Sequence, residues 1–180
     1  TFTTDRKGKA NSAMSFDGVD DYIDCGSNSS LKMATNDFTV GAWVKRNGNG
    51  VIFSTRWWDK GYYVDISEAG NMKTRIYGGP NLDISKDFTN APVPANEWHH
   101  LVWRVDRDID VKVYIDGVYK DNVALPTIGD LSNSSMNKIG ISQNNNGAFE
   151  KPFNGQIDDV RIYNRALSAE EIKLLYESYN

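Results

Sequence analysis

The sequence predicts an all-β antiparallel fold, a sandwich or a barrel, closed by one short C-terminal helix. Short segments in which apolar and polar residues alternate recur at regular spacing. Glycine-containing breaks separate them, and a convincing helical period appears only at the carboxyl end. The composition agrees, with 15 glycines, nine tyrosines and five tryptophans in 180 residues, because aromatic residues suit strands and glycine supplies turns. A chain of this length buries about 70% of its unfolded surface, enough for one substantial core and cramped for two. Residues 1–180 are therefore read as a single domain.

In chain order, AMSFDGVDDYIDC contains two short strand candidates, Ala13 to Phe16 and Tyr22 to Asp24. Phe38 to Val44 follows, with Phe38, Val40 and Ala42 on one face and Trp43 on the other. Val51 to Ser54, Tyr62 to Ile66 and Met72 to Tyr77 continue the series. GGPNLDISKDFTNAPVPANE carries three of the five prolines and no sustained period, so residues 78–97 read as a long loop with at most one short strand. WHHLVWRV then places Leu101, Trp103 and Val105 on one face. In VKVYIDGVYKDNV, Asp116 and Gly117 between Ile115 and Val118 predict a two-residue type I′ hairpin turn. Lys138 to Ile141 and Gly155 to Tyr163 are the last strand candidates, parted by the polar SQNNNGAFEKP. Ser168 caps the closing helix with Glu171 completing the box, and Ile172, Leu175, Tyr176 and Tyr179 mark its apolar stripe.

Charge and cysteine content exclude several classes. Twenty basic against 24 acidic residues leave a net charge of −4 with no basic run to track phosphates, so no nucleic acid partner is expected. No apolar stretch reaches 18 residues, so no membrane insertion is expected either. Cys25 is the only cysteine, which excludes an internal disulfide framework and a cysteine-rich metal site. TFTTDRKGKANS at the start lacks the apolar stretch of a signal peptide.

Acidic residues beside glycines suggest a hard cation. Asp17, Asp20 and Asp21 cluster near one end of the chain and Asp158 with Asp159 near the other. Ca²⁺ takes six to eight oxygens from carboxylates and carbonyls, and tight turns present both. If the two ends pair in one sheet, Asp17 and Asp158 meet at a single ion with Asp20 completing the shell; otherwise these residues form Asx turns at a solvated sheet end. Nothing here matches an EF-hand. His99 and His100 are adjacent on a strand and so face opposite ways, which prevents them from sharing a zinc ion.

Catalysis finds little support. No strand carries the alternating glutamates that glycoside hydrolysis would use, and no nucleophile elbow or phosphate loop is present. Asp106, Asp108 and Asp110 alternate, yet they sit at a strand-to-strand turn where exposed acids are ordinary. Binding is better supported. Trp57 and Trp58 are consecutive, so in extended chain only one faces inward. The loop from Arg56 to Tyr62 would then expose an aromatic ring beside charged groups, the arrangement on which a sugar ring stacks while its hydroxyls pair. Tyr77 and Asp83, with Asn144, Asn145, Asn146 and Phe149 from the polar loop, would extend that surface, since side-chain amides both donate to and accept from hydroxyls.

AMSFDGVDDYIDCG, DFTVGAWVK, NEWHHLVWRVDRDIDVKVYIDGV and FNGQIDDVRIYNRALSAEEIKLLY together resemble the laminin-G-like, or concanavalin A-like, jelly-roll domains of bacterial extracellular carbohydrate-active proteins. The likeness runs from about residue 13 to 176 and keeps the family's order. It implies a two-sheet antiparallel jelly-roll sandwich with a structural Ca²⁺ near the join of the first and last strands, the Asp of FDG mapping to Asp17 and the first Asp of IDD to Asp158. It also implies a non-catalytic carbohydrate-binding module, secreted or at the cell surface, whose partners are a polysaccharide or oligosaccharide and the other domains of its parent protein. The alternative is a structural or protein-binding spacer or adhesion domain, with a glycan-active enzyme a distant third. The chain lacks the paired acidic strand motif of the fold's catalytic members.

Overall fold

The computed structural model describes residues 1–31, 33–56, 60–79, 82–134, 136–144 and 146–178. In chain order the strands are β1 (Phe2–Thr3), β2 (Ala13–Asp17), β3 (Ile23–Asp24), β4 (Phe38–Arg46), β5 (Gly50–Ser54), β6 (Lys60–Ile66), β7 (Asn71–Gly78) and β8 (Asp83–Pro92). They continue with β9 (Trp98–Asp106), β10 (Asp110–Ile115), β11 (Val118–Ala124), β12 (Lys138–Ile139), β13 (Ser142–Gln143), β14 (Phe149–Glu150) and β15 (Asn154–Tyr163), before the helix α1 (Ala169–Ser178). A seven-stranded sheet runs β1-β2-β15-β4-β9-β10-β11, and a six-stranded sheet runs β3-β12-β5-β6-β7-β8. All pairings are antiparallel, and β13 with β14 makes a separate small hairpin. The fold is the two-sheet sandwich with a short C-terminal helix.

Alternation along the strands builds the core. Phe38, Val40, Ala42 and Val44 of β4 and Leu101, Trp103 and Val105 of β9 point inward, against Tyr62, Val64 and Ile66 of β6 and Met72 and Ile76 of β7. The Phe38 and Tyr62 rings stack across the sandwich with centroids 4.2 Å apart. Complete removal of such side chains from water contributes roughly 1.5–3 kcal/mol each. On the outer side of the larger sheet, Val102, Tyr114, Leu167 and Ile172 form a second cluster under α1. Ser168 Oγ accepts the Glu171 N–H at 3.2 Å while Glu171 Oε2 accepts the Ser168 N–H at 2.8 Å, so the capping box is complete. Asp116 (φ 53°) and Gly117 (φ 74°) are both left-handed, as a type I′ turn requires.

Residues 78–97 depart from expectation, because β8 occupies ten of them as an edge strand. Phe88 and Ala91 enter the core while Asp83, Ser85 and Asp87 face outward, and Pro92 ends the strand. Charges and proline are how edge strands discourage further pairing, and they mask the strand signal. Among the described residues, no helix is long and apolar enough to cross a membrane.

Candidate functional site

The outward face of the six-stranded sheet is unusual in being closed over. Because Tyr62, Val64 and Ile66 point into the core, Tyr63 and Asp65 must point outward. Tyr63 is nevertheless fully buried, clustered with Val51 and Tyr77. Cationic side chains provide the cover. The Arg56 guanidinium lies 4.3 Å from the centre of the Tyr77 ring and pairs with Glu150 of β14. Arg75 lies 4.8 Å from the same ring and makes two hydrogen bonds to the Asp83 carboxylate, at 2.8 and 2.6 Å. Lys151 reaches over Tyr63 (5.2 Å) to Asp65 (3.2 Å).

Local structure holds these groups in place. Asn133 Nδ2 donates to Thr55 O (2.8 Å) and Lys60 O (3.3 Å), tying together the two ends of the loop that begins at Arg56. Ser54 and Ser142 share a 3.2 Å hydroxyl contact, and the Val51 N–H donates to Lys151 O, so the hairpin and the segment that leaves it lie against β5. The Arg75 guanidinium holds the Asp83 carboxyl below its ordinary range. Burial pushes the Asp65 carboxyl up to about 6, against the pull of Lys151, and burial also raises the Tyr77 hydroxyl. The arrangement can present fixed donors and acceptors to a polar ligand without spending side-chain entropy on binding.

The structure brings together Arg56, Tyr77 and Asp83, and it reassigns others. Tyr62, expected to be a ligand contact, is only 1% exposed and stacked on Phe38 in the core; the parity of β6 gives the outward position to Tyr63. Tyr77 is 7% exposed and carries two guanidinium groups, so its ring anchors cations and offers no stacking face. Asn144 Oδ1 accepts the N–H groups of Asn146 and Ala148, closing the hairpin loop, while Asn146 itself is exposed. Phe149 is 48% exposed and pairs with Tyr22, centroids 5.0 Å apart, as an aromatic patch where the hairpin meets the start of β3. Trp57, Trp58 and Asn145 lie outside the described residues. The sequence reading missed Tyr63, Asp65, Glu150 and Lys151; the alternation in KGYYVDI was the available signal for the first two.

The acidic residues near the chain ends separate into two sites. Asp17, Asp20 and Asp21 each offer a carboxylate oxygen within 4.8 Å of the others, a hard-oxygen cluster able to coordinate a metal ion. The Val19 N–H, donated to Asp17 Oδ1 at 2.8 Å, holds the Asp17 carboxyl low. Asp158 does not join them. The residue opposite Asp17 is Asn154, which leaves Asp158 four positions along β15, about 13 Å away at the usual strand rise. At a bulge in β15, Asp158 and Asp159 (φ 47°) both take Arg6, at 2.8 and 3.0 Å, and Arg6 also lies over Trp43 at 4.6 Å.

The remaining acids and histidines serve the framework. Asp106 and Asp110 both pair with Arg104, and Asp108 Oδ1 accepts the Ile128 N–H at 2.7 Å. Asp116 accepts from the His100 N–H (2.9 Å) and lies 2.7 Å from His99 Nδ1, clasping the hairpin turn.

Comparison with known proteins agrees with this architecture. The family described as the concanavalin A-like lectin/glucanases superfamily matches residues 17–173. Paraclostridial mosquitocidal protein 1 of Paraclostridium bifermentans is 25% identical over 162 residues, covering 80% of this chain, which spans only 12% of that protein's length. The solved binding domain of that protein superimposes with a TM-score of 0.67 at 22% identity, covering 98% of this chain and 49% of that one. CBM40 of the Ruminococcus gnavus IT-sialidase superimposes with a TM-score of 0.75 at 15% identity, covering 92% and 96%. Its structure bound to α2,3-sialyllactose gives 0.73 at 12%, with the same coverage. With its two-sheet sandwich and a match over most of its length, this chain belongs to the concanavalin A-like lectin/glucanases superfamily.

Proposed function

We propose that this protein is a non-catalytic carbohydrate-binding module that holds a larger secreted or cell-surface protein to a glycan. The observation that carries the reading is the outward face of the six-stranded sheet, where Arg56, Tyr63, Asp65 and Tyr77 are buried as deeply as core residues under the Arg56–Glu150, Lys151–Asp65 and Arg75–Asp83 pairs. The outer face of an antiparallel sheet is commonly solvated; this one is a pre-ordered set of donors and acceptors. Resemblance to a sialidase CBM40 and to the binding domain of Paraclostridial mosquitocidal protein 1 supports the same class. Arg75 and Asp83 are the accessible polar pair, Phe149 is the exposed ring, and Trp57 and Trp58 follow Arg56 in the chain as stacking candidates.

A glycan array that includes α2,3-sialyllactose tests this reading. Saturable binding is expected, and Arg75→Ala lowers affinity about tenfold or more by removing a charge-assisted hydrogen bond. Trp57→Ala and Trp58→Ala, measured separately with the fold checked, decide which ring stacks. Silence across the array refutes the function.

The Asp17, Asp20 and Asp21 cluster is read as a structural Ca²⁺ site. All three donors are carboxylate oxygens, and a cation there would offset their mutual repulsion at a surface turn. Its role would be to brace the chain between β2 and β3, with no part in chemistry.

A further inference from the structure

Beyond Arg75, the outward face continues into a cleft of about 570 Å³ whose charged lining is Asp65, Glu68, Lys73, Asp87 and Lys151. Strand register makes its floor. Asp65 of β6 lies opposite Lys73 of β7, and Lys73 lies opposite Asp87 of β8, so an acid, a base and an acid stand in one row across three strands. Asp65 is 1% exposed; its Oδ2 takes Lys151, and its Oδ1 is buried without a hydrogen-bond partner. Asp87 Oδ1 is likewise buried and unpartnered. Buried carboxylate oxygens are almost always satisfied, because leaving one bare is costly. Lys73 forms no ion pair with either neighbour among the described residues.

The charges select the ligand class. A divalent cation would meet the two ammonium groups of Lys73 and Lys151, and a phosphate or sulfate would meet the three carboxylates of Asp65, Glu68 and Asp87. A neutral polyol meets neither objection, since each hydroxyl both donates and accepts and can bridge a carboxylate to an ammonium. From the Arg75 row, where Arg75 faces Tyr63, to the Asp65 row is two residues of β6, about 7 Å, a span that one oligosaccharide bridges. Resting on the glycan-binding reading above, the geometry points to a second subsite here: Asp65 and Asp87 accept, and Lys73 and Lys151 donate to, the hydroxyls of a neutral sugar ring within an oligosaccharide whose other end lies at Arg75.

Calorimetric titration with lactose, maltotriose and α2,3-sialyllactose tests the assignment on the parent, Asp65→Asn, Asp87→Asn and Arg75→Ala proteins, each checked for unchanged near-UV circular dichroism. Asp87 is only partly buried, so its variant keeps the test decisive if Asp65→Asn disturbs the fold. At least one probe should bind the parent and lose about tenfold in affinity with Asp87→Asn, the effect of one charge-assisted hydrogen bond. A probe that binds the parent and weakens with Arg75→Ala, but not with Asp65→Asn or Asp87→Asn, overturns the subsite and leaves the glycan reading intact. If no probe binds the parent, the subsite and that reading fall together for these sugars. A probe-bound crystal structure showing only water at Asp65 Oδ1 and Asp87 Oδ1 also overturns it.

Discussion

Arg6 and Asp158, 152 positions apart, meet in a 2.8 Å ion pair with both side chains nearly buried. The pair fastens the N-terminal segment to the bulge of β15, and Trp43 lies beneath the guanidinium. Removing one member strands the other. Arg6→Ala should therefore destabilise the fold by about 3 kcal/mol, as for other broken buried pairs, with Arg6→Lys recovering part of the loss. Urea midpoints measure both, and a loss within experimental error for Arg6→Ala would show the pair to be idle.

The metal reading makes a residue-specific prediction. Ca²⁺ at about a hundred times its dissociation constant should stabilise the native state by roughly 2.7 kcal/mol, and chelation should reverse the gain. Asp17→Asn should abolish the response and Asp158→Asn should preserve it, because Asp158 belongs to Arg6. Thermal melts with and without chelator, supported by elemental analysis, decide it. Mg²⁺ should substitute poorly, since it dehydrates reluctantly.

Asp65 supplies a pH signature. Burial raises its carboxyl from 3.8 to about 6, so the native state holds this proton more tightly than the unfolded chain. Its contribution is stabilising at pH 4 and is lost as pH rises towards 6, where the buried group must ionise. A difference of about two pH units corresponds to roughly 2–3 kcal/mol. Asp65→Asn should thus gain stability relative to the parent between pH 4 and pH 7, as read from urea midpoints at the two values. A pH-independent difference would place the carboxyl in water.

Gly61 controls the loop that begins at Arg56. Its φ is +104°, and a Cβ there would lie 2.7 Å from Thr55 O and 2.8 Å from Asn133 Nδ2. Gly61→Ala should cost more than about 1 kcal/mol and weaken glycan binding by disturbing the Asn133 strap. Unchanged stability and affinity would show that the loop adjusts freely.

Much of the fold was legible because it depends on local pattern. Phe38, Val40 and Ala42 against Trp43, the Asp116 and Gly117 turn, and the Ser168 and Glu171 box are all settled by residues within a few positions of one another. The β8 strand was not legible, since its outward aspartates and Pro92 imitate a loop until β7 pairs with it. Within the candidate site, Arg56 and Asp83 were visible as polar residues beside aromatics. Tyr62 was misplaced because two adjacent tyrosines do not announce which one faces the core.

The sequence by itself determined that this chain is an antiparallel β domain with a capped closing helix, since turn chemistry, alternation and helical period are properties of neighbours along the chain. Only the tertiary structure decided that Asp158 serves Arg6 and stands apart from Asp17, and that Asp65, Lys73 and Asp87 share one row. Both outcomes follow from register between strands distant in sequence. A slip of one residue reverses every side chain, and a shift of four carries a carboxylate beyond the reach of an ion.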